Sequence, residues 1–176
     1  MAAVYHVYDR RVQLLAVRHA IAEDRHPNED DVLRALTPAG ERKFREVVKG
    51  LRKLGWKLDH VLTSPWTRAA RTAELLRPIS GRQAIETDLL AQSPRAELLA
   101  LLSESSGPQK PGHATAVVGH EPWLGELVGW LAFGDGRHGE GLEIKKGGVI
   151  WLEGTAVPGG MTIRAMLPPK LLRELA

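Results

Sequence analysis

The sequence predicts an α/β fold: a mostly parallel central sheet with helices on both faces and a C-terminal antiparallel hairpin at the edge. Three observations predict it. Three compact apolar runs of strand length are each followed by a stretch of helical character, the alternation from which parallel sheets are built. Thr-Pro or Ser-Pro pairs open three of the helical stretches, the pattern of an N-cap followed by a first-turn proline. Near the C-terminus the alternation gives way to two apolar segments around a turn rich in Gly and Pro.

The first strand is expected at 13–18 (QLLAVR). Residues 20–36 lack strong periodicity and form a candidate active-site loop. Thr37 and Pro38 open a helix that runs to about Leu54, with Gly55 as its stop. Its segment ERKFREVVKGLRKL carries a basic face, a solvated surface or a dock for an acidic protein. The second strand covers 58–64 (LDHVLTS), after which Ser64-Pro65 caps a helix over 66–77 that Pro78 ends. Ser93-Pro94 opens another over 95–103. The third strand, 115–120 (TAVVGH), leads into a helix over 121–133 closed by Gly134. Residues 134–147 are a second candidate loop, and 148–153 and 161–166 form the hairpin around GTAVPGG.

The 176 residues suit a single domain, with 1–12 as a short N-terminal extension. With 43% hydrophobic and 26% charged residues the composition is globular. No apolar run approaches the roughly 18 residues of a membrane span, so no membrane association is expected. The N-terminus lacks a charged start followed by an apolar block, which predicts a cytoplasmic location rather than secretion. Zero cysteines exclude disulfides, thiolate metal sites and cysteine nucleophiles. A net charge of +3 is mild, and the 9 aromatic residues are scattered, which argues against nucleic acid as a partner. His6, His26, His60, His113 and His138 lack the spacing of a metal site, so neither metal nor cofactor is expected.

The informative pattern is where His and Arg fall relative to the strands. Arg18-His19 ends the first strand, Arg68 follows the second within about a turn, and Gly119-His120 ends the third. Ligands of open α/β sheets bind at the carboxyl ends of strands. Two imidazoles and two or more guanidiniums converging there describe an anion site, and guanidinium pairs bidentately with phosphoryl oxygens. Helix N-termini after Ser64 and His120 would aim N–H groups at the same point.

These residues also carry a resemblance. VRHA at 17–20, RALTPAG at 34–40, LTSPWTRAARTAELL at 62–76, VVGHEPWL at 117–124 and KKGGVIWLE at 145–153 resemble the histidine phosphatase superfamily. More closely they resemble its small SixA-type branch, the phosphohistidine phosphatases, in order from about residue 13 through LPPKLL at 167–172.

The resemblance implies a metal-independent phosphatase in which His19 is the nucleophile and forms a phosphohistidine intermediate. Its other ring nitrogen should then donate to a fixed acceptor. Arg18 and Arg68 would clamp the phosphoryl oxygens, and His120 would donate to them, with Gly119 allowing close approach. Arg34 and Ser64 are assigned to substrate binding. The sequence departs from the wider superfamily at Ala20, where a glycine is usual, and at Arg25, where the mutase-type pattern has asparagine. It also departs where larger members carry a glutamate acid: the matching stretch holds Ala91, Gln92 and Ser93, with Asp88 and Glu97 nearby. An alkoxide leaving group needs a positioned acid, whereas a phosphorylated imidazole can take its proton from solvent.

The substrate is therefore expected to be a phosphorylated protein bearing phosphohistidine. A small phosphorylated metabolite is the alternative within enzymes, and a non-catalytic phosphate-binding regulator the alternative of another class. Oligomeric state is not read from the sequence.

Overall fold

The computed structural model describes residues 12–28, 30–105 and 113–176. His6 and, except for Val12, the expected N-terminal extension lie outside the described residues. The strands are β1 (Val12–Arg18), β2 (Lys57–Thr63), β3 (Ile85–Glu86), β4 (His113–Gly119), β5 (Val149–Gly154) and β6 (Met161–Leu167), in one sheet ordered β3-β2-β4-β1-β5-β6. β3, β2, β4 and β1 run parallel, β5 is antiparallel to β1, and β6 is antiparallel to β5 at the edge.

β1 is apolar at every position from Leu14 to Val17 because both of its faces are covered. Side chains alternate across a strand, so Leu15 and Val17 face one layer and Leu14 and Ala16 the other. The first layer holds α1 (Pro38–Lys53), α2 (Thr67–Leu75), the short α3 (Arg77–Ser80) and α6 (Pro169–Glu174), through Phe44, Val47, Ala73, Ile79 and Leu172. The second holds α4 (Ala96–Ser105) and α5 (Trp123–Phe133), through Leu98, Leu102, Leu124, Leu127 and Leu131.

The expected start of α1 and the expected stop of α5 are found, although α5 begins at Trp123 rather than at 121. Thr37 Oγ1 accepts the Gly40 N–H at 2.8 Å, and Gly134 closes α5 in the left-handed region. Other boundaries differ. α2 begins at Thr67, and Ser64 is not its cap; the Ser64 hydroxyl lies in the site described below. The helix expected to reach Arg77 stops at Leu75. Pro78 does not end it but sits in the first turn of α3, where a missing N–H costs nothing. α4 starts at Ala96 and runs to Ser105, later at both ends than expected. β3, with two residues, is too short to leave a periodic signal. Residues 134–147 are not a free active-site loop: Gly136–Gly141 form a 3-10 helix packed along α5, and only the end of the segment reaches the site.

Register sets the functional edge. Arg18 pairs with Gly119 and Thr63 with Val118, so Arg18, Ser64 and Gly119 share one level, and His19 and His120 follow it directly.

Candidate active site

His19 follows β1 directly, and its backbone N–H donates to Gly119 O at 3.1 Å. The side chain is 4% exposed. Its Nδ1 lies 2.7 Å from the Ala20 carbonyl oxygen. A carbonyl only accepts, so Nδ1 carries the proton, and Nε2 of the neutral ring keeps its lone pair. Arg68 Nε donates to that lone pair at 3.3 Å. Burial lowers the His19 pKa from 6.5 to about 3; the Ala20 hydrogen bond opposes the shift, and the charges of Arg68, Arg18 and Lys146 add to it.

Arg68 stands in the first turn of α2 and is buried. Asp31 orients it from the 20–36 loop: Nη1 donates to the Asp31 carbonyl at 2.6 Å and Nη2 to Asp31 Oδ2 at 3.0 Å. The guanidinium also lies 4.6 Å from the centre of the Trp66 ring. Behind it, Thr72 Oγ1 donates to Arg68 O at 2.6 Å and accepts the Ala20 N–H at 3.0 Å. One hydroxyl therefore ties the helix carrying Arg68 to the residue that fixes the His19 ring. Gly40 sets the same segment from α1, because a Cβ there would overlap the Ile21 carbonyl oxygen.

Arg34 Nε is 2.9 Å from Asp31 Oδ1, and its Nη1 donates to Glu23 O at 3.0 Å. Asp31 thus bridges two guanidiniums. Although burial opposes its ionisation, Arg68 and Arg34 hold its carboxyl below the ordinary value.

Arg18 Nη1 donates to Ile144 O at 2.6 Å, while its buried Nε has no hydrogen-bond partner. Gly147, at φ +79°, turns its N–H toward the Arg18 and His19 carbonyls, 3.1 and 3.0 Å away. His120 is buried, with its ring centroid 5.2 Å from that of His19 and 4.6 Å from that of Trp66. Its Nε2 lies 2.9 Å from Ser64 Oγ, and its buried Nδ1 has no partner. Burial first, then Arg68 and His19, lower the His120 pKa to about 3.

The strand ends therefore bring Arg18, His19, Ser64, Arg68, Gly119 and His120 to one crevice. Arg34 joins through Asp31, and its charge acts on Arg68 and His120. Ser64 is fully buried, with its hydroxyl 2.9 Å from His120 Nε2. A Cβ on Gly119 would make only ordinary contacts, at 3.5 Å to Leu90 O and 3.7 Å to Leu124, so the surrounding protein does not demand glycine there.

Sequence reasoning missed Asp31 and Thr72 as organising residues. The signals were present: Asp31 lies three residues before Arg34, and Thr72 four residues after Arg68. Glu121 was missed too; burial pushes its carboxyl up, and one of its oxygens accepts the Gly125 N–H at 3.2 Å. Asp88 and Glu97 are exposed. The 89–94 stretch instead offers Gln92 to a narrow cleft beside His120 and Trp123. Among the described residues, no three His, Cys, Asp or Glu side chains gather where a metal ion could be held.

The family model of the histidine phosphatase superfamily (branch 1) matches residues 14–92. An uncharacterized protein of Picosynechococcus sp. is 34% identical over 147 residues, covering 82% of this chain and 87% of that protein. Among solved structures, the protein histidine phosphatase SixA complexed with tungstate is similar at TM-score 0.73 and 23% identity, covering 92% of this chain and 99% of that one. A mycobacterial glucosyl-3-phosphoglycerate phosphatase is similar at TM-score 0.63 and 15% identity, covering 91% and 99%. Both share the fold described above.

Proposed function

The chain belongs to the histidine phosphatase superfamily, and from that premise we propose that it hydrolyses phosphohistidine in proteins, without a metal, through a covalent intermediate on His19. The observation that carries this reading is the His19 ring. It is held neutral by burial, its Nδ1 proton is fixed on Ala20 O at 2.7 Å, and its Nε2 lone pair faces the Arg68 guanidinium at 3.3 Å.

In the first step the Nε2 lone pair of His19 attacks phosphorus and the substrate P–N bond breaks. Its electron pair leaves on the substrate imidazole, which takes a proton from solvent. Arg68 and Arg18 oppose the charge that develops on the phosphoryl oxygens. Asp31 positions Arg68, and the unpaired Arg18 Nε is a donor ready for an oxygen. Ser64 Oγ accepts the Trp66 N–H at 3.2 Å, which leaves its O–H to donate a hydrogen bond to His120 Nε2 at 2.9 Å when that ring carries its proton on Nδ1. His120 then presents Nδ1–H as a further donor. In the second step water attacks phosphorus, the His19 N–P bond breaks, and inorganic phosphate and a proton are released.

The leaving group argues for a P–N substrate. Asp31, held ionised by two arginines, is poorly suited to protonate an alkoxide, and an imidazole does not require it to. The test is initial rates, without added metal, on a phosphohistidine-bearing protein domain and on a panel of small phosphoesters, for the wild type and His19→Ala. A wide preference for phosphohistidine that His19→Ala abolishes supports the proposal. Preference for an ester makes the protein a metabolite phosphatase, and phosphate binding without turnover makes it a regulator.

A further inference from the structure

A second cavity, of about 170 Å³, opens between α1, α6 and the turn before β5. Ile21, Phe44 and Val47 give it an apolar floor, and Lys43, Lys146 and Arg173 stand around it. No carboxylate lines it. The nearby acids are engaged elsewhere: Glu41 with Arg45 and Arg71, Glu46 with Lys49, and Glu174 with Lys170. The three cations have no ion-pair partner among the described residues.

The cavity shares a wall with the catalytic crevice. Ala20, whose carbonyl holds the His19 ring, and Gly147, whose N–H reaches the His19 carbonyl, both line it. α6 is held in place because Gly50 of α1 lies against the Leu172 backbone, where a Cβ would overlap the Leu172 carbonyl. The volume is well below the roughly 300–1,000 Å³ of metabolite pockets and fits one side chain. An apolar hole ringed by unpaired cations complements an apolar side chain flanked by carboxylates.

We infer that this cavity docks an acidic segment of the protein substrate, taking one apolar side chain on the Phe44–Val47 floor while flanking carboxylates pair with Lys43, Lys146 and Arg173. The inference rests on the phosphohistidine-protein reading and adds a substrate subsite beside the nucleophile.

The test uses two peptides of equal length, each with one leucine, set among glutamates in one and lysines in the other. Calorimetric titration of wild type should show the acidic peptide binding at least roughly tenfold more tightly, a charge-complementarity effect that added salt weakens. The double variant Lys43→Glu/Arg173→Glu changes only side chains on the rim and should lose that preference. Changing the leucine to serine should weaken binding of the acidic peptide to wild type. With a phosphohistidine in the acidic peptide, the variant's kcat/KM should fall about tenfold through KM, while its hydrolysis of phosphoimidazole stays unchanged. Equal affinity for the two peptides, or equal losses on peptide and phosphoimidazole, overturns the inference. If wild type cleaves neither the phosphohistidine peptide nor phosphoimidazole, the proposed function fails, and the binding comparison still decides the subsite.

Discussion

Arg68 directs its single Nε–H at the lone pair of His19 Nε2 across 3.3 Å. One guanidinium therefore holds that nitrogen through Nε while its outer nitrogens are anchored on Asp31.

Replacing His19 with Ala should lower turnover about 10⁴-fold or more, on the scale of losing a nucleophile, with far-UV circular dichroism unchanged. Acid-labile phosphate trapped on the wild-type protein should be missing from the variant. Full activity in His19→Ala would sink the mechanism.

Arg68→Ala should lose about 10²–10³ in kcat, the scale of removing one transition-state donor. Asp31→Asn should lose less, about tenfold, because it loosens the guanidinium without deleting it. If Asp31→Asn costs as much as Arg68→Ala, the carboxylate has a larger role than positioning. Steady-state kinetics on one substrate with all three proteins decides this.

The two imidazoles set a pH dependence. Both folded pKa values, about 3, lie below the ordinary 6.5. Between those limits the unfolded chain binds more protons than the folded one. The stability associated with the neutral rings is thus fully present above about pH 6.5 and is lost as pH falls toward 3. Each pH unit in that window costs up to about 1.4 kcal/mol per histidine. Urea midpoints at pH 7 and pH 5 should show the fall, and His120→Gln should reduce its slope. An unchanged slope in the variant would contradict the assignment to His120.

Thr72→Val keeps the shape of the side chain and removes the hydroxyl between Ala20 N and Arg68 O. The buried Ala20 N–H loses its acceptor, so unfolding free energy should drop by about 1–3 kcal/mol. kcat should fall as well, because His19 and Arg68 are no longer tied together. Thermal melts and kcat measured on the same preparations check both effects.

Gly40→Ala drives a Cβ into the Ile21 carbonyl, so α1 or the segment after His19 must move. The expected result is a loss of stability of about 1–3 kcal/mol together with reduced activity. A fully active, equally stable variant would show that this contact does not position the site.

Much of the fold was legible because its signals are local. The apolar runs that became β1, β2 and β4 and the Thr37 cap of α1 each rest on neighbouring residues. Where a local rule competed with a distant partner, the partner won. Ser64 is a good helix cap by type, yet its hydroxyl serves His120, 56 residues away. α6 was not read as a helix from the sequence, since its six residues are held by the Leu172 backbone lying against Gly50.

The site divides along the same line. From the sequence alone came the fold class, the placement of Arg18-His19, Arg68 and Gly119-His120 at strand ends, and the anion chemistry of those side chains, because strand order and residue type are written in the chain. Only the tertiary structure decided that the His19 proton sits on Nδ1, that Asp31 bridges Arg68 to Arg34, and that Thr72 joins Ala20 to the Arg68 helix. Those facts depend on hydrogen bonds and desolvation between groups that meet only after the sheet has assembled, and no local pattern encodes such a meeting.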